Sequence, residues 1–178
     1  MRNLLVVPLV GLLVAGLSAS QAAADSVEIK GPHICCQQCV KVVGKLLGGV
    51  DGVSDVKADA KTKTVTFTAK DEKAAKAGVK ALFDGGLFGS ATSDGKELKV
   101  EVPAAKKGDK ADAVIVKNVH VCCGQCQNGI KATFKDAKIT FTDPSGPQRT
   151  VTITAPGLEP GGVLEALRKA GFNGSVEK

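Results

Sequence analysis

All six cysteines and both histidines of this 178-residue chain fall inside two heptapeptides, His33-Ile34-Cys35-Cys36-Gln37-Gln38-Cys39 and His120-Val121-Cys122-Cys123-Gly124-Gln125-Cys126. Scattered core cysteines would not gather in this way. Thiolate is the form that binds metal, and soft thiolates select Cu(I), Zn and other soft cations. Cys36-x-x-Cys39 and Cys123-x-x-Cys126 can each place two sulfurs on one ion. Cys35 or Cys122 adds a third sulfur, and His33 or His120 an imidazole two residues before it. Three thiolates and one imidazole would complete a Cys₃His tetrahedron, a structural zinc set, whereas two thiolates alone suit a more open, exchangeable site. The histidines read as ligands, as residues that hold a ligand in place, or as exposed loop side chains with no such role. Gln38 and Gln125 read as solvated residues at a helix start.

Positioning these side chains falls to a unit that occurs twice. The heptapeptides are 87 residues apart, and Thr64-Val65-Thr66-Phe67-Thr68-Ala69 returns as Thr150-Val151-Thr152-Ile153-Thr154-Ala155. Ala81-Leu82 with Gly86, Gly89 and Ser90 returns as Ala166-Leu167 with Gly171, Gly174 and Ser175. Such self-similarity marks a tandem duplication. Pro103 to Lys110, without apolar periodicity, reads as a linker. In each copy a short strand (Val27-Glu28-Ile29; Val114-Ile115-Val116) precedes the cysteines. Val40, Val43 and Leu47 then recur at helical spacing up to Gly48-Gly49, while Ile130 and Phe134 mark a weaker helix that Gly129 is expected to interrupt. Two strands follow, Val53–Val56 and Thr64–Phe67 about the turn at Asp59-Ala60-Lys61, and Ile139–Phe141 and Val151–Ile153 about Asp143-Pro144-Ser145-Gly146. A second helix is expected at Glu72–Phe83 and at Pro160–Lys169. A last strand is expected around Leu98-Lys99-Val100 and Ser175-Val176. The order is βαββαβ, so the fold class is α+β, two tandem ferredoxin-like domains with helices on one face of an antiparallel sheet.

Residues 1–24 carry a different message. Arg2 precedes an apolar stretch from Leu4 to Leu17, and Ala22-Ala23-Ala24 fits a small-residue cleavage site before Asp25. The stretch is shorter than the roughly 20 residues that cross a hydrocarbon core, and Pro8 interrupts it. It reads as a secretory signal, which makes the mature chain extracytoplasmic, secreted or periplasmic, with no membrane span. Loss of Arg2 takes the formal net charge from +6 to +5. Dispersed lysines such as Lys73, Lys76 and Lys80 read as a solvated face, not a nucleic-acid patch. With aromatics at 3%, stacking surfaces for single-stranded nucleic acid and aromatic cages for organic cations are hard to build.

Other chemistries fit the thiols less well. An oxidising compartment favours disulfides, and six cysteines allow fifteen complete pairings. Cys36–Cys39 could close locally, but three thiols per copy leave one over, and a Cys35–Cys36 bridge would be strained. A Cys-x-x-Cys thiol–disulfide redox protein is the alternative function. Against it stand the βαββαβ order, the lack of Trp before the motif, and a third cysteine that would scramble mixed disulfides. A Cys–His hydrolase has little room for a cleft in so small a domain.

The succession of strand, Cys-x-x-Cys and helix, then Val50-Asp51-Gly52-Val53-Ser54-Asp55-Val56 and Lys63-Thr64-Val65-Thr66-Phe67, resembles the heavy-metal-associated domain. That family includes copper chaperones, the N-terminal modules of metal-pumping P-type ATPases and the periplasmic mercuric-ion-binding protein. The resemblance recurs once per copy and reaches Ala170-Gly171-Phe172-Asn173-Gly174-Ser175-Val176, where Phe172 reads as a core residue. The family's Met-x-Cys-x-x-Cys falls on Cys36 and Cys39, and on Cys123 and Cys126. Its Met is replaced by Ile34 or Val121, and the preceding Gly by His33 or His120. The added Cys35 and Cys122 make a doublet similar to the Cys-Cys-x-x-Glu of plant zinc-transporting ATPase modules, with Cys in place of Glu. The resemblance implies a monomeric, non-enzymatic protein that carries Cu(I), Zn²⁺, Cd²⁺ or Hg²⁺, one ion per domain, by stepwise thiolate exchange. Cys36, Cys39, Cys123 and Cys126 would be its main ligands, with Cys35 and Cys122 completing or handing over the ion. A metal-transporting ATPase or another donor or acceptor would be its partner. Domain 1 is expected at 25–102, the linker at 103–112 and domain 2 at 113–178.

Overall fold

In the computed structural model, which describes residues 24–102, 109–142 and 146–177, apolar residues at period two form strands and those at helical spacing form helices. The expected signal segment lies outside the described residues except for Ala24, as do linker residues 103–108 and Asp143-Pro144-Ser145. In chain order the elements are β1 (Asp25–Lys30), α1 (Gln37–Gly48), β2 (Val53–Asp59), β3 (Thr64–Ala69), α2 (Glu72–Asp84), β4 (Ser90–Ser93) and β5 (Lys96–Glu97). There follow β6 (Ala111–His120), α3 (Gly124–Thr133), β7 (Lys138–Thr142), β8 (Gln148–Leu158), α4 (Pro160–Lys169) and β9 (Ser175–Val176). The two sheets have the orders β2-β3-β1-β4-β5 and β7-β8-β6-β9, with antiparallel pairing throughout. The described residues thus form a mixed α+β structure of two sheets and four helices, in which the second half repeats the element order of the first apart from β5.

Local chemistry accounts for the boundaries that matter to the site. Helix α1 buries Cys39, Val42, Val43 and Leu47, a stripe of period near 3.6, and ends at Gly49. Helix α2 starts where the Asp71 carboxylate accepts a hydrogen bond from the Ala74 amide at 2.7 Å. It lies close on the sheet, since a Cβ on Gly78 would sit 2.6 Å from the Phe67 ring. Between β2 and β3, Asp59 accepts from the Lys61 amide at 2.7 Å and holds the expected turn.

Three expectations are corrected. The last strand of the first half is β4 at Ser90–Ser93, paired with β1, and not Leu98–Val100. Asp94 and Gly95, both at positive φ (48° and 77°), reverse the chain into β5. Leu98 is then folded into the core edge, its amide donating to the Ala91 carbonyl at 2.9 Å, so its apolar character signalled burial and not pairing. Gly129 does not interrupt α3, which runs through it to Thr133. Strand β6 begins at Ala111, inside the expected linker.

The two halves are joined backbone to backbone. Leu87 and Phe172 form an antiparallel bridge. The amides of His33 and Phe88 both donate to the Gly171 carbonyl, at 3.0 and 2.9 Å. On the related side, the amides of His120 and Asn173 donate to the Gly86 carbonyl, at 3.4 and 2.8 Å. Asn173, almost fully buried, donates its side-chain amide to the Phe83 carbonyl at 2.9 Å and accepts from Arg168. The buried apolar residues form one cluster running through both halves.

Gly86 and Gly171 sit at φ +85° and +87°, where L side chains are strained. A Cβ at Gly86 would lie 2.3 Å from the His120 amide nitrogen, and one at Gly171 2.4 Å from the Gly31 carbonyl oxygen. Left-handed strain alone costs about 1–2 kcal/mol. With the backbone clash added, Gly171→Ala is expected to destabilise the chain by more than ~2 kcal/mol in urea unfolding. Gly162→Ala, on the exposed side of α4 with nothing nearer than 4.0 Å, should instead stabilise by ~0.5–1 kcal/mol.

Candidate metal centre

Each histidine is aimed by a left-handed residue two positions before it. Gly31 (φ +90°) turns the chain as β1 ends, and Asn118 (φ +61°) does so inside β6, where the register with β8 shifts between Val116 and Val119. Asn is one of the few non-glycine residues that tolerate this region. The shift breaks the alternation of β6, so that Val119 and His120 are both fully buried. Ile34 and Val121, at the next position, are buried core residues that anchor the loops. Cys36 and Cys123 are the N-caps of α1 and α3, and Cys39 and Cys126 lie buried in the first turns. All the thiols therefore sit at the positive ends of two helices, which favours negative charge on sulfur.

Because the halves dock through Gly86 and Gly171, the two heptapeptides meet in one cluster. Cys39 Sγ lies 3.6 Å from Cys35, 3.8 Å from Cys36, 3.3 Å from Cys122 and 3.9 Å from Cys126. Cys126 Sγ lies 3.6 Å from Cys35, 3.8 Å from Cys122 and 3.7 Å from Cys123. Cys123 Sγ is 3.5 Å from Cys35 and 3.8 Å from Cys36. All six are free thiols.

Three groups of ligand atoms have every member within 4.8 Å of the others: Cys39, His120, Cys122 and Cys126; His33, Cys35 and Cys126; and Cys35, Cys36 and Cys123. Each draws on both heptapeptides. A zinc ion at ordinary bond lengths separates its ligands by about 3.8 Å for two sulfurs and about 3.6 Å for sulfur and nitrogen. In the first group the sulfurs are 3.3, 3.8 and 3.9 Å apart, and His120 Nε2 is 3.5 Å from Cys39 Sγ. The residues thus fit a tetrahedral Cys₃His ion with little movement.

The imidazoles are not solvated loop side chains. Nε2 of His33 and Nδ1 of His120 are buried without a hydrogen-bond partner, a state that carries a desolvation cost. His33 stacks on Phe172 at 4.2 Å between ring centroids. It also explains Gly129, where a Cβ would lie 2.7 Å from the His33 ring. Gln38 and Gln125 are exposed.

Without an ion the protons are held unevenly across the cluster. Burial pushes the thiols of Cys35 and Cys122 well above the usual range. Cys126 is pushed up by its hydrogen bond to Cys39, which it serves as donor. Cys39 is correspondingly lowered, as the sulfur that accepts from Cys126 and His120. Burial raises Cys123, but hydrogen bonds from the Cys126 backbone and the Cys35 side chain outweigh it, leaving its pKa lowered. Burial lowers the pKa of His33 and so favours the neutral, ligating form.

Every candidate residue of the sequence analysis is in or beside this cluster. The sequence leaves open whether the two copies act separately or share a site; in the structure both heptapeptides build one cluster, and the aiming residues Gly31 and Asn118 lie outside both motifs. Their signal was available, since they occupy equivalent places in the two copies. Residues 32–82 match the heavy-metal-associated domain. No curated protein matches the chain. The match and the Cys/His cluster together point to metal-ion binding.

Since Cys35, Cys122 and Cys126 hold protons that an ion must displace, loading the reduced chain is expected to release protons. Apparent affinity should rise with pH, about tenfold per unit for each proton displaced. Titration in unbuffered solution checks this: more than one proton should appear per divalent ion, and fewer would contradict the protonation pattern.

Proposed function

We propose that this chain is an extracytoplasmic binding protein for soft or heavy metal ions, which sequesters or relays its cargo and performs no chemistry on it. The observation that carries this reading is the group Cys39, His120, Cys122 and Cys126, whose spacing is close to that of ligands around one tetrahedral ion. The two halves act as tandem heavy-metal-associated-like, ferredoxin-like domains, 25–102 and 113–178. The ligand atoms favour a centre built by both halves over a closed site in each. The partly exposed thiols of Cys36 and Cys123 beside it suit stepwise exchange with a donor or acceptor protein such as a metal-transporting ATPase. Residues 1–24 direct export and are then removed.

Elemental analysis with thiol counting tests the binding. The chain, purified without added metal and then fully reduced, is offered Zn²⁺, Cd²⁺, Hg²⁺ or Cu(I). Uptake should protect thiols from alkylation, and a chelator should free them again. A reduced chain that takes up none of these ions would overturn the reading and favour a thiol–disulfide role. N-terminal sequencing of exported protein should begin at Asp25, and an intact residue 1 in that fraction would overturn the export signal.

A further inference from the structure

We infer that the cluster is built for two divalent ions side by side, with Cys39 and Cys126 as thiolates shared between them. This rests on the metal-binding reading above and adds the number of ions and the role of each sulfur. Cys39 and Cys126 are the two buried cysteines, lie 3.9 Å apart where the halves meet, and occupy equivalent positions in the two copies. Against this pair stand Cys122, 3.3 and 3.8 Å from the two sulfurs, and His120, 3.5 Å from Cys39. Also against this pair stand Cys35, 3.6 Å from both, and His33, whose ligand atom lies within 4.8 Å of those of Cys35 and Cys126. The eye of the arrangement is a shared edge: two tetrahedra, each of two common sulfurs, one private sulfur and one imidazole.

Charge favours the same count. Four thiolates balance two divalent cations and the imidazoles stay neutral, so the core has no net charge to bury. A single ion in the first group would leave Cys35 and His33 facing the same buried sulfurs with Nε2 of His33 unpartnered. Each ion enters with loss of thiol protons to solvent and no change of oxidation state. Cys36 and Cys123, 3.8 Å apart at the two helix N-caps, are not required for either tetrahedron.

The role of each sulfur gives a stoichiometric signature. The full reduced chain, titrated with Zn²⁺ and freed of excess, should hold two ions. Cys35→Ser and Cys122→Ser should each hold one, Cys36→Ser and Cys123→Ser two, and Cys39→Ser and Cys126→Ser less than one. Should the last pair fail to fold, Co²⁺ in the unaltered chain gives an independent test. Two ions joined through shared sulfur couple magnetically, so the paramagnetic resonance signal should grow over the first equivalent and shrink over the second. One ion per chain, or two whose signals simply add, overturns the shared-sulfur arrangement while leaving metal binding intact. No uptake of Zn²⁺ or Co²⁺ overturns the arrangement, and failure with Cd²⁺, Hg²⁺ and Cu(I) as well removes the metal-binding reading beneath it.

Discussion

The close approach of backbone to backbone at Gly86 and Gly171 is the contact on which the cluster depends. Each glycine carbonyl accepts two amides, one from its neighbouring half's histidine loop and one from the bridge between Leu87 and Phe172. A buried backbone group left without such a partner would cost about as much as a lost hydrogen bond, so the docking is specified by pairing as well as by apolar contact. Only where the chain carries no side chain can two loops come this near. The histidine amides that hydrogen-bond these glycines belong to the residues that carry the imidazoles, and separation of the halves would move the ligands with them.

Linking six sulfurs through contacts of 3.3–3.9 Å concentrates groups that repel once ionised. The structure manages this by graded protonation, with burial holding Cys35 and Cys122 neutral and hydrogen bonds directing negative charge to Cys39. The helix N-termini behind Cys36 and Cys123 add partial positive charge from the opposite side. The apolar anchors Ile34 and Val121, each worth about 1.5–3 kcal/mol of burial, keep the loops from relaxing away from this arrangement. They serve packing and not ligation.

The local order was legible because local chemistry sets it. Alternating apolar residues marked β1, β3 and β8, the stripe of α1 was visible in Val43 and Leu47, and the doubled heptapeptide revealed the ligand set. The Leu98 strand was misread because an apolar residue signals burial whether or not it pairs, while the Asp94-Gly95 turn ahead of it was the stronger local cue. The repeat held the answer as well: Ser90 aligns with Ser175, and both open the strand beside the first strand of their half. Gly129 was read as a helix break because its reason, the His33 ring, comes from a loop nearly a hundred residues earlier in the chain. Contacts between the halves leave no periodic trace in sequence, and the union of the two clusters could be seen only in three dimensions.

Residue 86 touches the loop at 118–120 and residue 171 touches the loop at 31–33, so the halves meet as two subunits do across an isologous dimer interface. Here both partners are carried by one polypeptide. Their association is therefore a first-order event with an effective concentration set by the connecting chain. Dilution, which would dissociate a comparable pair of separate subunits, leaves this centre assembled, and each molecule carries a complete set of ligands at any concentration.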